Sequence, residues 1–330
     1  MRYFYFTLLG LLLASGLWAQ QEDQFTQFMH NKLGLNPAYA GATGETRVTA
    51  LMRQQWLGIE GAPQTQLVTF NMAPRKRLGV GGTISRSSIG ITDRYTLEGS
   101  YAYRFELGNG YFGMGLSASM RMLQVRFNDV QANQSVDADG AIPNNGFQSR
   151  FVPNFGAGLY YNTKKFYLGV AAPRLLQNSI NFANASATLT RERVHVFGMT
   201  GFVIPITSNE EIILQPHILL KYVEGAPFDA DINMSVTFNK NFTGGVSYRI
   251  GGNKATGTGE SIAALFSAQV SDKIMFGLSY DMTLTELRDH NSGSVELFMH
   301  YFVGGDRDGV ILENPRFIGD GNNGGSGGFY

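Results

Sequence analysis

From Ile274 to Leu284 every second residue is large and apolar (Ile274, Phe276, Leu278, Tyr280, Met282, Leu284), with Gly277, Ser279, Asp281 and Thr283 between them. A period of two gives a strand with one greasy face and one polar face. A break rich in turn formers, Glu286–Gly293, follows. The pattern then resumes with Val295, Leu297, Met299, Tyr301 and Val303 opposite Ser294, Glu296 and His300, while Met275, Phe298 and Phe302 fall on the wrong face. Two such runs of roughly ten residues are long for a soluble sheet and match a barrel strand that crosses a membrane.

The same grammar recurs along the chain. Strands are expected at 45–55, 64–73, 78–88, 91–106, 111–124, 150–161, 165–173, 193–206, 210–222, 229–239, 242–250, 260–270, 273–284 and 294–303. That makes about fourteen, an even number, as single-chain bacterial barrels have. Connection length follows parity. The even connections are tight (Pro74–Arg77, Leu107–Gly110, Asn162–Lys164, Thr207–Asn209, Lys240–Asn241, Ser271–Asp272). The odd ones are longer, apart from the third near Ile89-Gly90. Outer-membrane barrels have short periplasmic turns and longer extracellular loops, so this parity assigns sides and puts both termini in the periplasm. No amphipathic helix stands ready to cover the apolar face, which must meet lipid or a second sheet. Aromatics near strand ends (Tyr101, Tyr103, Phe105, Tyr111, Tyr160, Tyr161, Tyr248, Tyr301, Phe302) read as an interfacial belt or as ordinary strand formers.

Composition agrees without deciding. Charged residues are 16% of the chain, Gly numbers 41, and there are 24 Phe and 15 Tyr against two Trp, a profile that suits a barrel or a soluble β-sandwich. Zero formal net charge argues against nucleic-acid binding, and the lack of Cys removes disulfides, thiolate catalysis and Cys-ligated metal sites. At the start, Arg2, the apolar Phe4–Leu13 and Ala19 before Gln20-Gln21-Glu22-Asp23 read as a secretory signal cleaved near Ala19. No later run is long and apolar enough for a transmembrane helix. The organisation expected is a signal peptide at 1–19, a periplasmic lead-in at 20–44, an all-β transmembrane outer-membrane β-barrel at 45–303, and a flexible Gly-rich periplasmic tail at 304–330. The tail holds a short apolar segment, Val310–Ile318, that docks on a partner or is simply a loose end.

Chemistry-bearing motifs fail on context. Gly108-Asn-Gly-Tyr-Phe-Gly113 has the letters of a dinucleotide fingerprint, but a strand follows where a helix N-terminus must hold the pyrophosphate. Asp137-Ala-Asp139-Gly140 opens like a calcium loop and then presents Ala141 where a ligand belongs. His30, His195, His217, His290 and His300 show no metal spacing, and His300 reads as a lumen or girdle residue. The nucleophile-elbow pattern at Gly324–Gly328 lies in the tail. No catalytic residue, cofactor or metal is nominated, so a barrel enzyme is the weakest reading. Arg53-Gln-Gln-Trp56 followed by Gly61-Ala-Pro-Gln-Thr65 marks a specific hairpin tip, read as a structural corner or as a binding site in which Arg53 meets carboxylates and Trp56 packs on the rim.

Several of these stretches together carry a resemblance. Glu22-Asp-Gln-Phe-Thr-Gln-Phe-Met29, Asn36-Pro-Ala-Tyr-Ala-Gly41, and the Arg53–Trp56 and Gly61–Thr65 pair are similar to the N-terminal signature of the PorP/SprF family of type IX secretion system membrane proteins. Tyr280-Asp281 through Glu296 resembles that family's last hairpin, and Asn314-Pro-Arg-Phe317 its tail. The resemblance implies an outer-membrane barrel of the secretion and gliding-motility machinery. Its expected partners are outer-membrane lipid, periplasmic secretion-system or peptidoglycan-associated proteins, and secreted cargo C-terminal domains or adhesins. The residues it marks, as partner or cargo contacts or as family signature, are Asn36, Pro37, Tyr39, Gly41, Arg53, Gln55, Trp56, Pro63, Gln64 and Thr65. The competing reading is a porin-like diffusion channel, since about fourteen strands enclose a lumen that is either open or filled.

Overall fold

The structure, a computed structural model, describes residues 22–75, 77–127, 146–180, 190–251 and 259–303. The expected signal peptide, the tail with its Val310–Ile318 and Gly324–Gly328 segments, and Asp137-Ala-Asp139-Gly140 lie outside those residues.

Fourteen antiparallel staves form one closed barrel. In chain order they are β1 (Thr46–Gln54), β2 (Gln64–Arg75), β3 (Leu78–Ile89), β4 (Thr92–Leu107), β5 (Gly110–Arg126), β6 (Phe147–Asn162) and β7 (Phe166–Ala172). Then come β8 (His195–Phe202, continued after Val203 by Ile204–Pro205), β9 (Ile212–Val223), β10 (Asp229–Phe238), β11 (Phe242–Ile250), β12 (Ser261–Ser271), β13 (Ile274–Thr283) and β14 (Ser294–Val303). Each strand pairs with the next, and β14 returns to β1 with Thr46 opposite Val303 and Gln54 opposite Val295. Closure leaves no edge, so backbone N–H and C=O groups find partners within the wall, as hydrocarbon surroundings require. Tight connections (76–77, 108–109, 163–165, 206–211, 239–241, 272–273) gather at one end, here the turn end. The strand ends joined by the other connections (55–63, 90–91, 127–146, 173–194, 224–228, 251–260, 284–293) lie at the opposite end, here the loop end.

The wall is apolar outside and polar inside. Met52, Val68, Ile84, Leu97, Leu116 and Leu278 are exposed on the outer face, while their inward neighbours Thr49, Arg53, Glu98, Ser117, Arg121 and Glu296 are buried. Outward aromatics cluster at the turn end, where Phe105 lies 5.5 Å from Phe112 and Phe166 lies 5.0 Å from Phe202 between ring centroids. Three residues expected in that belt fall on the inward face: Tyr160 and Phe302 are buried inside the ring, and Tyr111 stands opposite Glu106 on the face of Arg104.

The lead-in is corrected. Expected to lie in the periplasm, its described part, 22–44, instead threads the lumen from the loop end to the turn end before the chain reverses into β1. Three short helical turns, Phe28–His30, Lys32–Leu35 and Pro37–Tyr39, make up most of it, and nearly all of their side chains are buried. The wrong-face residues of the last hairpin explain themselves here. Met275, Phe298 and Phe302 join Leu51 and Leu67 in an internal apolar cluster around Phe25, and Phe298 stacks on His30 with ring centroids 3.9 Å apart. The alternation breaks where the wall must receive the apolar side of the segment that fills it.

An arginine placed mid-wall on the outer face tests which side meets lipid. Leu116→Arg is expected to lower folding stability in vesicles by about 2–4 kcal/mol, and Ser88→Arg, near the loop end, by about 1 kcal/mol or less. Urea unfolding of both variants in lipid measures this, and an unchanged Leu116→Arg barrel would mean that this face does not meet hydrocarbon.

Candidate functional site

The lumen is held shut by charges that the wall and the lead-in supply to each other. Arg53, on β1 and only 2% exposed, is 2.6 Å from Asp281 of β13 and 3.1 Å from Glu296 of β14, and it also donates to the Thr26 hydroxyl at 2.8 Å. Glu296 in turn accepts the backbone N–H groups of Thr26 (2.9 Å) and Gln27 (2.8 Å), while Thr26 donates to Asp281 at 2.6 Å. One guanidinium, two wall carboxylates and two amides of the lead-in therefore close a single network. Inside a low-dielectric wall such a network holds only if its members are mutually satisfied.

Toward the loop end the polarity reverses, with the lead-in providing the acids. Arg121 of β5 holds both oxygens of Glu22 at 2.7–2.8 Å, and Arg174 reaches the same carboxylate at 2.5 Å. Burial alone would raise the Glu22 carboxyl, but Arg121 and Arg174 outweigh it and hold it well below the usual carboxylate range. The contact therefore stands at neutral pH and weakens only as pH falls through that depressed value. Asp23 pairs with Arg94 and accepts from the Ser87 hydroxyl at 2.7 Å. Glu192, from the β7–β8 connection, bonds Arg121 (2.9 Å), Asn154 (3.1 Å) and Asn178 (2.9 Å), which brings its carboxylate into the lumen. Midway down, His30 and His300 meet at 3.0 Å, and His300 contacts the Thr49 hydroxyl at 2.8 Å. His300 is thus a lumen residue.

At the turn end the lead-in seats on inward glycines. Asn36 accepts from the Ala38 N–H at 2.9 Å and donates to the Leu159 carbonyl at 2.9 Å, fixing the turn that Pro37 begins. A methyl on Gly79, Gly115 or Gly158 would overlap Ala40, Ala38 or Asn36 respectively. Gly41, at φ +66°, sits against Gly79 and donates to Asn71 at 2.7 Å. The Tyr39 hydroxyl accepts from Arg47 at 3.0 Å. Much of the high glycine content on these strands is a cradle for a second layer of chain.

The ten residues marked from the sequence do not form one site. Asn36, Pro37, Tyr39 and Gly41 lie in the turn-end plug, and Arg53 and Thr65 face the sealed upper lumen. Gln55, Trp56, Pro63 and Gln64 are partly exposed at the loop-end rim. There Gln55 bonds the Pro63 carbonyl (2.9 Å), Trp56 (φ 47°) donates to Ser294 (3.2 Å), and Leu57 exchanges backbone bonds with Gly293 and Ser292 at 2.8 Å. Arg53 does meet carboxylates, as its chemistry suggested, but they belong to the wall. Glu22, Thr26, Arg121, Arg174, Glu192 and Asp281 were not singled out. The signal for them was acids and hydroxyls before the first strand, matched by arginines on the polar face of the strands.

Fold and site together define a plugged outer-membrane β-barrel. The model of the type IX secretion system membrane protein PorP/SprF family matches residues 17–301, and the chain belongs to that family. No curated protein matches it. Among solved structures, the CymD monoaromatic hydrocarbon channel is similar over 87% of this chain and 95% of its own at 11% identity, with a TM-score of 0.51. The Pseudomonas putida toluene transporter TodX (10% identity, 86% and 98% covered, TM-score 0.49) and the Ralstonia pickettii toluene transporter TbuX (10%, 83% and 93%, 0.48) are also similar.

Arg53→Ala strands two buried carboxylates and is expected to cost about 3–5 kcal/mol, with most of that loss recovered when Asp281→Asn and Glu296→Gln are added. Thermal unfolding in detergent, with limited proteolysis between residues 22 and 44, reads both effects. An Arg53→Ala variant as stable and protease-resistant as the parent would refute the network.

Proposed function

We propose that this protein is a closed, non-enzymatic docking component of the type IX secretion machinery, holding secreted cargo or secretion partners at the outer membrane rather than passing solutes. The observation that carries the proposal is the lumen occupied by residues 22–44 and locked by buried ion pairs. By loop length the turn end faces the periplasm and the loop end the cell exterior. Partners in the periplasm, including peptidoglycan-associated proteins, then meet the turn end and the tail. Adhesins or cargo C-terminal domains meet the loop rim, where Trp56 and Gln55 are the marked residues within reach. A role in gliding follows if the cargo is an adhesin. Export through a cleaved signal peptide is part of the same reading.

Among the described residues, a polar cavity between the plug and β9–β13 that touches Gln27, His30, Gln215 and Asn233 favours the channel reading. At about 20 Å³ it has room for about one water and none for a solute.

Two measurements test the proposal together. Full-length protein in planar bilayers is expected to show no steady conductance. In cells carrying a deletion, Trp56→Ala is expected to restore barrel levels but to display less than half of the wild-type cargo, an effect of the size expected when a central aromatic contact is lost. A stable open pore, or normal cargo display after deletion of the whole protein, would overturn it.

A further inference from the structure

The network around Arg53 leaves two of its own atoms unmatched. Asp281 gives one oxygen, Oδ2, to both the Arg53 guanidinium and the Thr26 hydroxyl, each at 2.6 Å, while its Oδ1 takes no hydrogen bond. Arg53 uses its two terminal nitrogens on Thr26, Glu296 and Asp281, and its Nε has no acceptor. Both side chains are buried, so an unmatched acceptor and an unmatched donor there are costly and call for a partner.

Both residues line a cavity of about 40 Å³ near the loop-end rim. Half-exposed Trp56 and Leu287 stand on its outer side. On its inner side Arg53 and Asp281 are joined by buried Arg249 of β11, which spends its Nε on Asp231 at 2.6 Å. Trp56 is held there at φ 47°, a left-handed conformation that a bulky residue seldom adopts, with its N–H on Ser294 of the same cavity wall. The space takes about three water-sized atoms, the number of heavy atoms in a carboxamide. Its polar groups choose among occupants of that size. A carboxylate would suit the guanidinium groups but press against Asp281 and leave Oδ1 without a donor. An ammonium would suit Asp281 but press against two guanidinium groups and leave Arg53 Nε without an acceptor. A carboxamide is uncharged and brings one acceptor and two donors. Trp56 and Leu287 offer apolar surface to the short methylene stem behind it.

We propose that this cavity receives the carboxamide of an Asn or Gln side chain of the docked cargo. Its oxygen accepts from Arg53 Nε and the Arg249 guanidinium, and its NH2 donates to Asp281 Oδ1. This inference rests on the docking reading and names the group that the loop-end rim recognises.

The test titrates propionamide into the full-length protein in non-ionic detergent and follows the fluorescence of Trp56, taken as the difference from Trp56→Phe. Propionate and propylammonium at the same concentrations are the charged controls. A saturable change with propionamide alone is expected, with a Kd on the order of 1 mM, as suits a few hydrogen bonds. Ser261→Phe, on the cavity wall in β12, fills the space while every charged residue stays in place. It is expected to abolish the saturable change and, in cells carrying a deletion, to lower cargo display as Trp56→Ala does. Thr285→Phe fills the same cavity from the rim and replaces it if heat-dependent gel mobility shows that Ser261→Phe does not fold. An equal response to either charged control, a response that never saturates, or one that survives the filling variant would mean a cavity that holds water only and would overturn the proposal. No propionamide binding together with reduced display in Trp56→Ala would overturn the carboxamide site and leave docking standing. Propionamide binding together with normal display after deletion of the whole protein would overturn the docking reading, and this inference with it.

Discussion

Hydrocarbon leaves a sheet edge no partner, so β1 must find β14, and a ring of fourteen strands necessarily encloses a space. How that space is filled then determines most of what else is seen. The inner wall carries Arg53, Arg121, Asp281 and Glu296, groups that are ruinous if buried alone. The lead-in brings Glu22, Asp23, Thr26 and a run of backbone amides to meet them. Neither layer is stable in its observed form without the other. The wall needs counter-charges, and the lead-in, with three turns too short to hold themselves, needs a surface.

The barrel was legible in the sequence because its signal is local. Period-two alternation, tight even connections and an even strand count require no knowledge of what lies across the ring, and all fourteen expected strands are found within a few residues of their places. The plug was not legible, because its evidence is split over the length of the chain. Thr26 and Glu296 are 270 residues apart in sequence and 2.9 Å apart in space. Asn36-Pro-Ala-Tyr-Ala-Gly41 reads as any exposed turn until the glycines opposite it are known. Those glycines, Gly79, Gly115 and Gly158, read as small inward residues until something is seen pressed against them.

One local irregularity did carry the missing information. Met275, Phe298 and Phe302 broke the alternation because an apolar residue facing a lumen needs an apolar visitor, and Phe25 is that visitor. In this barrel the apolar residues on the wrong face show where the second, inner layer has to be.

The central claim is that residues 22–44 are part of the folded barrel rather than a tether beside it. Hydrogen–deuterium exchange of the full-length protein in lipid nanodiscs measures this without altering a residue. Peptides covering 25–41 are expected to exchange as slowly as those from β1 and β14. Exchange there as fast as in the 55–63 loop would mean that the lumen is not filled by this segment and would contradict the account.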